Sequence, residues 1–398
     1  MRLYLLALNP TDSVTEGFLP AAVRLGLDVT VLTDQADPHR LAYGALPAAP
    51  EVLECDVRDF REVIGLISGH HAPDAVFSNS DHLQTQTALA ADYFGLPAKD
   101  WRATLRAKNK AELRRRLGLA GLDTVWSAEL APGQVPELPD APFPCVLKPR
   151  EGVASEDVVL VADAAELRRR CREIQHRRPG SALVVEEFLT GDLHTLETLG
   201  DGRTRHVLGG FRTRLSPPPH FVEELLEFVP EYPPAVLDQL LAQLDTLGVG
   251  LGACHTEFVL QADGRARLVE VNYRAIGDQC DLMLAHLLEI PYFEHVLRVH
   301  LGEPLPAALG ARTGRHARNE PVCAARAGIL TAAPAPYDAE ADGVRLAYRP
   351  VRAVGEHHEH YRTNRDYLGV VWAVGPDRPA VDRAVAAFIA ANRWEITP

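Results

Sequence analysis

The residues most able to do chemistry lie in one stretch, 254–274. Glu257 and Glu270 stand at equal distances from Asp263-Gly264, a two-residue hairpin turn signal between strand-like runs. A hairpin turning there sets Glu257 opposite Glu270 and His255 opposite Asn272, and strand alternation puts all four side chains on one face. Arg274 follows two residues beyond Asn272, on the same face if the strand continues. Two opposed carboxylates repel. That leaves three readings: a solvated face with a poor pair, one carboxyl with a strongly raised pKa, or a divalent cation held between them. The oxygen set Glu257, Glu270 and Asn272 suits Mg²⁺, which takes one or two carboxylates and completes its shell with water and phosphate oxygens. Without a cation, removing one carboxylate should relieve repulsion and stabilise the protein slightly. A fixed guanidinium at Arg274 suits phosphate or oxyanion charge.

Two further segments carry groups that suit phosphate. Lys148 ends an apolar run and is followed by Pro149 and a loop with Gly152, Ala154 and Ser155, so an ammonium, backbone N–H groups and a hydroxyl fall close together. Val184-Val185 runs into Glu186-Glu187-Phe188-Leu189-Thr190-Gly191, an apolar strand meeting an acidic pair.

In this order the segments resemble the ATP-grasp superfamily, whose pattern is V-x-K-P with a small-residue loop, V-E-E-[FY]-[LIV]-x-G, H-x-E and E-x-N-x-R. Within it the likeness is greatest to the carboxylate–amine ligases of dipeptide and natural-product synthesis, through the loop 218–223 and Phe228-Val229-Pro230. Arg106-Ala107-Lys108-Asn109-Lys110, with Arg114 beyond, resembles the lysine-bearing helix before the nucleotide lid. Residues 366–371 resemble the C-terminal strand of the carboxylase-like branch.

The resemblance implies an α/β (α+β overall) ATP-grasp fold. It has an N-terminal Rossmann-like pre-ATP-grasp domain at 1–105 and an ATP-grasp domain at 106–310, with a mobile lid of about 122–205. A C-terminal α+β subdomain follows at 311–398. It implies ATP contacts from Lys110 (with Lys108 as competitor), Lys148, Ser155, Glu257 and Glu270. Glu186 supplies its side chain to an adenine hinge, and Glu187 and Leu189 their main chains. The metal ligands are Glu257, Glu270 and Asn272. Arg274 is the catalytic residue, and it contacts substrate together with His220 and Glu223. The implied reaction activates a substrate carboxylate as an acylphosphate with ATP and Mg²⁺ (Mn²⁺ the alternative ion) and joins it to an amine. A carboxylating or purine-pathway ATP-grasp enzyme is the alternative. Small-molecule carboxylate and amine substrates are the expected partners, a homodimer the assembly the resemblance allows, and the cytoplasm the expected location. Two positions depart from the family pattern: Leu193 replaces an acidic ribose contact, and Asp157 stands where many members have glycine.

The elements that must position these groups follow from periodicity. Strands are expected at 3–8, 29–32, 74–77, 144–148 and 183–187. Helices are expected near 15–26, 83–94, 108–117, 163–176, 237–247 and 379–392. Strand–helix alternation over 1–100 predicts a mostly parallel sheet. The proline-rich 131–144 and the stretch 304–318 read as linkers, and 216–219 as irregular. His255 reads as structural, the run 356–360 as an exposed loop, and Arg114-Arg115-Arg116 and Arg168-Arg169-Arg170 as solvated helix faces. The chain has 398 residues, enough for two or three domains, and a net charge of −13, unsuited to bulk nucleic acid. Six scattered cysteines without C-x-x-C point to a reducing compartment. No apolar run is long enough to span a membrane. No G-x-G-x-x-G follows the first strand, which excludes a nicotinamide-dependent dehydrogenase.

Overall fold

Short apolar runs separated by caps dominate the first hundred residues, and they build a parallel sheet. The structure is a computed structural model that describes residues 1–122, 125–310 and 314–398. The strands Glu51–Glu54, Asp28–Thr33, Arg2–Leu6 and Ala75–Phe77 lie side by side in that order, all parallel. Both faces are covered by apolar side chains, Leu3, Leu5 and Val31 on one and Tyr4, Leu6 and Leu32 on the other. This is the expected doubly covered sheet. Glu51–Glu54 went unnoticed in the sequence because an edge strand of four residues buries only Val52.

The centre of the molecule is a nine-stranded antiparallel sheet. Its order is Ala266–Asn272, Leu251–Leu260, Asp192–Asp201, Arg205–Leu215, Glu223–Val229, His316–Cys323, Tyr367–Gly375, Val344–Pro350 and Tyr337–Ala341. A separate antiparallel sheet of Ser127–Leu130, Leu183–Glu187, Cys145–Pro149 and Val159–Val161 packs against the helix Ala164–Arg177 around Leu147, Leu167, Cys171 and Ile174. The small sheet ends at Glu187, well short of the 205 expected for the lid. Asp192–Asp201 pairs inside the large sheet instead. Likewise most of the region expected as a separate subdomain at 311–398 extends that same sheet. Residues 123 and 124 of the lid, and 311–313 of the linker expected at 304–318, lie outside the described residues.

The basic helix expected at 108–117 is Lys110–Leu119, and Lys108 ends a separate preceding helix, Trp101–Lys108, with the break at Asn109. The Asn109 side chain accepts from Glu112 N and caps the second helix. The break turns Lys110 toward the phosphate-type loop, where its N–H donates to Arg150 O.

The hairpin reached its expected register by a different route. Gln261 N donates to Arg265 O, which closes a three-residue turn with Gly264 at φ +83°. That turn alone would misalign the strands, but a bulge lies between the 257/270 and 258/268 pairs. The bulge restores Glu257 opposite Glu270 and His255 opposite Asn272. Val269 and Glu270 therefore both face the cavity described below, while Leu268 and Val271 face the core. Under strict alternation from Leu268, Glu270 would point into that core.

The helix Pro234–Leu247 packs on the core face of the hairpin through Leu240, Leu244 and Leu247 against Phe258, Leu268 and Val271. Leu240 is fully buried. Leu240→Ala should cost about 2–5 kcal/mol, read as a lower urea midpoint with an unchanged slope.

Candidate active site

A cavity of about 1080 Å³ opens between the large sheet, the small sheet and the N-terminal domain. The elements just described bring Lys110, Lys148, Ser155, Glu186, Glu187, Leu189, His220, Glu223, Glu257, Glu270, Asn272 and Arg274 to its wall, so every residue expected from the sequence lines one space. Lys108 does not join them; its ammonium pairs with Asp81. Lys110 is therefore the lysine of this helix pair that faces the phosphate-type loop.

The opposed carboxylates do not face each other unrelieved. Lys110 Nζ donates to Glu270 Oε1 at 2.6 Å and to Gly152 O at 3.4 Å. Asn272 Nδ2 donates to Glu257 Oε1 at 3.2 Å. His255 Nε2 lies 3.5 Å from the same oxygen. His255 Nδ1 donates to Glu197 Oε1 at 2.7 Å. Burial disfavours the imidazolium, but Glu197 and Glu257 outweigh it and raise the His255 pKa to about 10. Burial likewise pushes Glu257 up, yet His255, Lys110 and Arg274 hold it below its ordinary value. The expectation that removing Glu270 stabilises the protein is thus corrected: its loss leaves a buried ammonium without its carboxylate. Glu197 was missed in the sequence, since only the pairing of His255 with Glu197 across neighbouring strands reveals it.

These groups fit a magnesium ion. The donor set is all oxygen, and the Lys110 ammonium already stands where a cation neutralises Glu270. Among the described residues no group of three His, Cys, Asp or Glu could hold a metal. The two carboxylates and the Asn272 amide are a set that phosphate oxygens would have to complete.

A second cluster lies across the cavity. Arg114 grips Glu186 with two bonds, Nε to Oε1 at 2.9 Å and Nη2 to Oε2 at 3.0 Å, and Lys148 Nζ sits 2.7 Å from Oε2. All three side chains are buried. Burial favours the neutral acid, but Arg114 and Lys148 lower the Glu186 pKa to about 2. Lys148 moves below its ordinary value, because burial and the Arg114 charge exceed what a shared carboxylate returns. The reading of Arg114 as a solvated arginine is therefore overturned, while Arg115 is exposed and pairs with Glu112. Glu186, expected to offer its side chain to an adenine, is fully engaged by the two cations. Glu187 N donates to Trp126 O, and its carboxylate accepts from Arg267 Nη2 at 3.1 Å.

The far end of the cavity is acidic. Burial and the nearby Glu257 raise the Glu223 pKa to about 8, and Asp278 is an exposed acidic side chain on the same cavity wall. His220 is half-buried, and burial with the charge of Arg362 lowers its pKa. Arg274 Nη1 donates to Ala275 O at 2.8 Å, between the hairpin and this acidic end. The run 356–360 is largely the exposed segment expected, with His357, Glu359 and His360 exposed, but His358 is buried, with Nε2 3.0 Å from Asp366 Oδ1.

Residues 141–282 match the ATP-grasp domain family. The whole chain is 28% identical over 418 aligned residues to the uncharacterized protein y4rH of Sinorhizobium fredii, covering 84% of it. An L-amino acid ligase from Bacillus licheniformis superposes over 100% of this chain and 99% of its own, with a TM-score of 0.80 and 21% identity. The biotin carboxylase domain of the Hydrogenobacter thermophilus 2-oxoglutarate carboxylase was solved in complex with MgADP, ADP and bicarbonate. It covers 99% of this chain and 90% of its own, with a TM-score of 0.73 and 16% identity. The superpositions establish a common fold. With the domain match and the motifs in register, residues 141–282 are an ATP-grasp domain within a chain that has the fold of ATP-grasp enzymes. No helix among the described residues is long and apolar enough to cross a membrane.

Because the folded Glu186 pKa lies below its ordinary 4.5, its contribution is complete above that value and is lost as pH falls toward 2. That contribution is on the order of 3 kcal/mol. Glu186→Gln leaves two cations buried around a neutral group and should cost about 3–5 kcal/mol at pH 7. Urea unfolding at pH 6 and pH 3 should show the variant losing less stability on acidification than the parent.

Proposed function

We propose that the protein is an ATP-dependent carboxylate–amine ligase that activates a carboxylate as an acylphosphate. The observation that carries this reading is convergence: Lys110, Lys148, the Glu257–Glu270–Asn272 set and Arg274 line one cavity, and its far end is acidic. Lys148, Lys110 and the loop 151–157 would bind the ATP phosphates. Main-chain groups at Glu187 and Leu189 would border the adenine. A magnesium ion on Glu257, Glu270 and Asn272 would draw charge from the phosphates.

The substrate carboxylate attacks the γ-phosphorus. One carboxylate oxygen bonds to phosphorus as the bond from phosphorus to the ADP oxygen breaks. Arg274 holds the carboxylate and then the charge of the acylphosphate. A neutral amine attacks the acyl carbon, the carbon–oxygen bond to phosphate breaks, and the nitrogen gives up a proton. The products are an amide, ADP and phosphate. The small sheet must cover the cavity during this sequence, since water would hydrolyse the acylphosphate.

Arg274 beside Glu223 and Asp278 suits a carboxylate held by the guanidinium and the ammonium of an incoming amine held by the two acidic side chains, which favours pairs of amino acids. Bicarbonate offers a carboxylate without an ammonium and leaves Glu223 and Asp278 no partner. ADP release, with product masses, should therefore be strong with pairs of amino acids and weak with bicarbonate. The reverse ranking would move the protein to the carboxylating class.

Two variants test the phosphate side. Lys148→Ala should weaken ATP binding by about 10- to 100-fold in calorimetry, the value of one charge-assisted contact. Arg114 still neutralises Glu186 in that variant, so the fold should survive. Glu270→Gln should abolish the magnesium-dependent part of the rise in melting temperature that ATP produces. An unchanged magnesium response would remove the metal assignment.

A further inference from the structure

The loop 151–157 is held in an unfavourable shape. Ala154, Ser155 and Asp157 each have φ of 55°, a left-handed conformation that non-glycine residues adopt only when their surroundings enforce it. Part of that enforcement comes from within the lid. Asp157 accepts from Arg177 Nη2 at 2.5 Å and from Arg178 Nε at 2.6 Å. The rest comes from the C-terminal region, at the turn Asn364–Asp366. Asn364 N donates to Ala154 O at 3.2 Å, and the Arg365 guanidinium pairs with Glu156.

The same turn grips the acidic end of the cavity. Glu223 N donates to Asn364 Oδ1 at 3.1 Å, and Tyr367 OH donates to Glu223 O at 3.0 Å. Glu223 is thus held by both its main-chain groups to residues that flank the phosphate loop. The turn is anchored from behind. Asp366 accepts from Tyr361 N at 2.8 Å and Arg362 N at 2.6 Å, and His358 closes on its other side. The histidine-rich run that found no place in the catalytic site is the footing of this turn. A further bond, Leu160 N to Pro219 O at 3.1 Å, ties the lid strand to the loop that carries His220.

We propose that the turn Asn364–Asp366 is a latch that couples the phosphate loop to the acidic end of the cavity, with Asn364 as the positioning residue for Glu223. The inference rests on the nucleotide reading of the loop 151–157. Closing the lid forms the Ala154, Glu156 and Pro219 contacts as a set. Ordering Asn364 from the lid side therefore also orders the peptide of Glu223. By reciprocity, a ligand seated against Glu223 favours the closed phosphate loop. The acylphosphate would then form under a lid whose closure already depends on an occupied acceptor pocket.

Amide hydrogen exchange on the full chain, read by mass spectrometry with and without magnesium β,γ-imido-ATP, tests the coupling without any knowledge of the substrates. The Glu223 amide reports directly, because it donates to Asn364 Oδ1. In the parent protein the nucleotide should slow exchange at 151–157 and at 221–224 together, the latter by about tenfold. In Asn364→Ala it should still slow 151–157 while 221–224 no longer responds. Arg365→Gln changes an exposed side chain and should reduce the response at 221–224. Protection of 151–157 without any response at 221–224 in the parent overturns the latch. An unchanged response in both variants also overturns it. Absence of protection at 151–157 itself removes the nucleotide reading, and the latch with it.

Discussion

One carboxylate shared by two buried cations is the constraint around which the site is arranged. Glu186 comes from the small sheet, Lys148 from the strand beside it, and Arg114 from a helix packed on the hairpin. Breaking the cluster would expose charge that burial makes costly, so it fastens the lid strands to the body of the domain. It also leaves a surplus of positive charge at the cavity wall. Lys110 and Glu270 neutralise one another, and His255 stands between Glu197 and Glu257. A polyanion that enters this wall meets cations already desolvated and fixed in place, which lowers the reorganisation needed on binding.

The second constraint is the aim of Glu270. The turn and the bulge of the hairpin each shift the register, and their shifts cancel. A three-residue turn with a left-handed glycine is a common hairpin connection, and a bulge beside a site re-aims a side chain. Together they put Glu257, Glu270 and Asn272 on the cavity side while Phe258, Leu268 and Val271 remain in the core. The pairing inferred from a two-residue turn was right for the three pairs nearest the site and wrong for those nearest the turn.

That outcome shows what the amino-acid order makes legible. Residues brought together by their spacing about one hairpin turn, Glu257, Glu270, Asn272 and Arg274, line one cavity wall as expected. The strands that carry Lys148 and Glu186 were legible as apolar runs of strand length. Arg114 was not found. Within three consecutive arginines each looks alike, and only the packing of the helix Lys110–Leu119 sends the first inward while the second stays in water. Glu197 escaped notice because its partner lies on a neighbouring strand far away in sequence. His358 was misjudged since its buried partner, Asp366, comes from a turn with no regular periodicity. The end of the small sheet is hard to read from the sequence for a related reason. The strand Asp192–Asp201 follows the small sheet in sequence but pairs with Leu251–Leu260, and no local pattern specifies a long-range partner.

The two ends of the cavity carry opposite charge, and this has a chemical consequence. In the proposed reading the phosphate end carries Arg114, Lys148 and Lys110, while at the other end burial and the nearby Glu257 favour the protonated form of Glu223. An ammonium arriving there would reverse that preference, since an opposite charge nearby stabilises the carboxylate. The incoming group would thereby be recognised, yet as an ammonium it has no lone pair with which to attack. A carboxyl that gains a proton easily near neutrality is suited both to hold the cation and to accept the proton it must lose. Arg274 lies between that end and the Glu257–Glu270–Asn272 set, where the proposed reaction would seat the acyl carbon. In the proposed reaction the charge gradient along the cavity would set the order of events, with the phosphates and carboxylate engaged at one end before the amine is released to attack from the other.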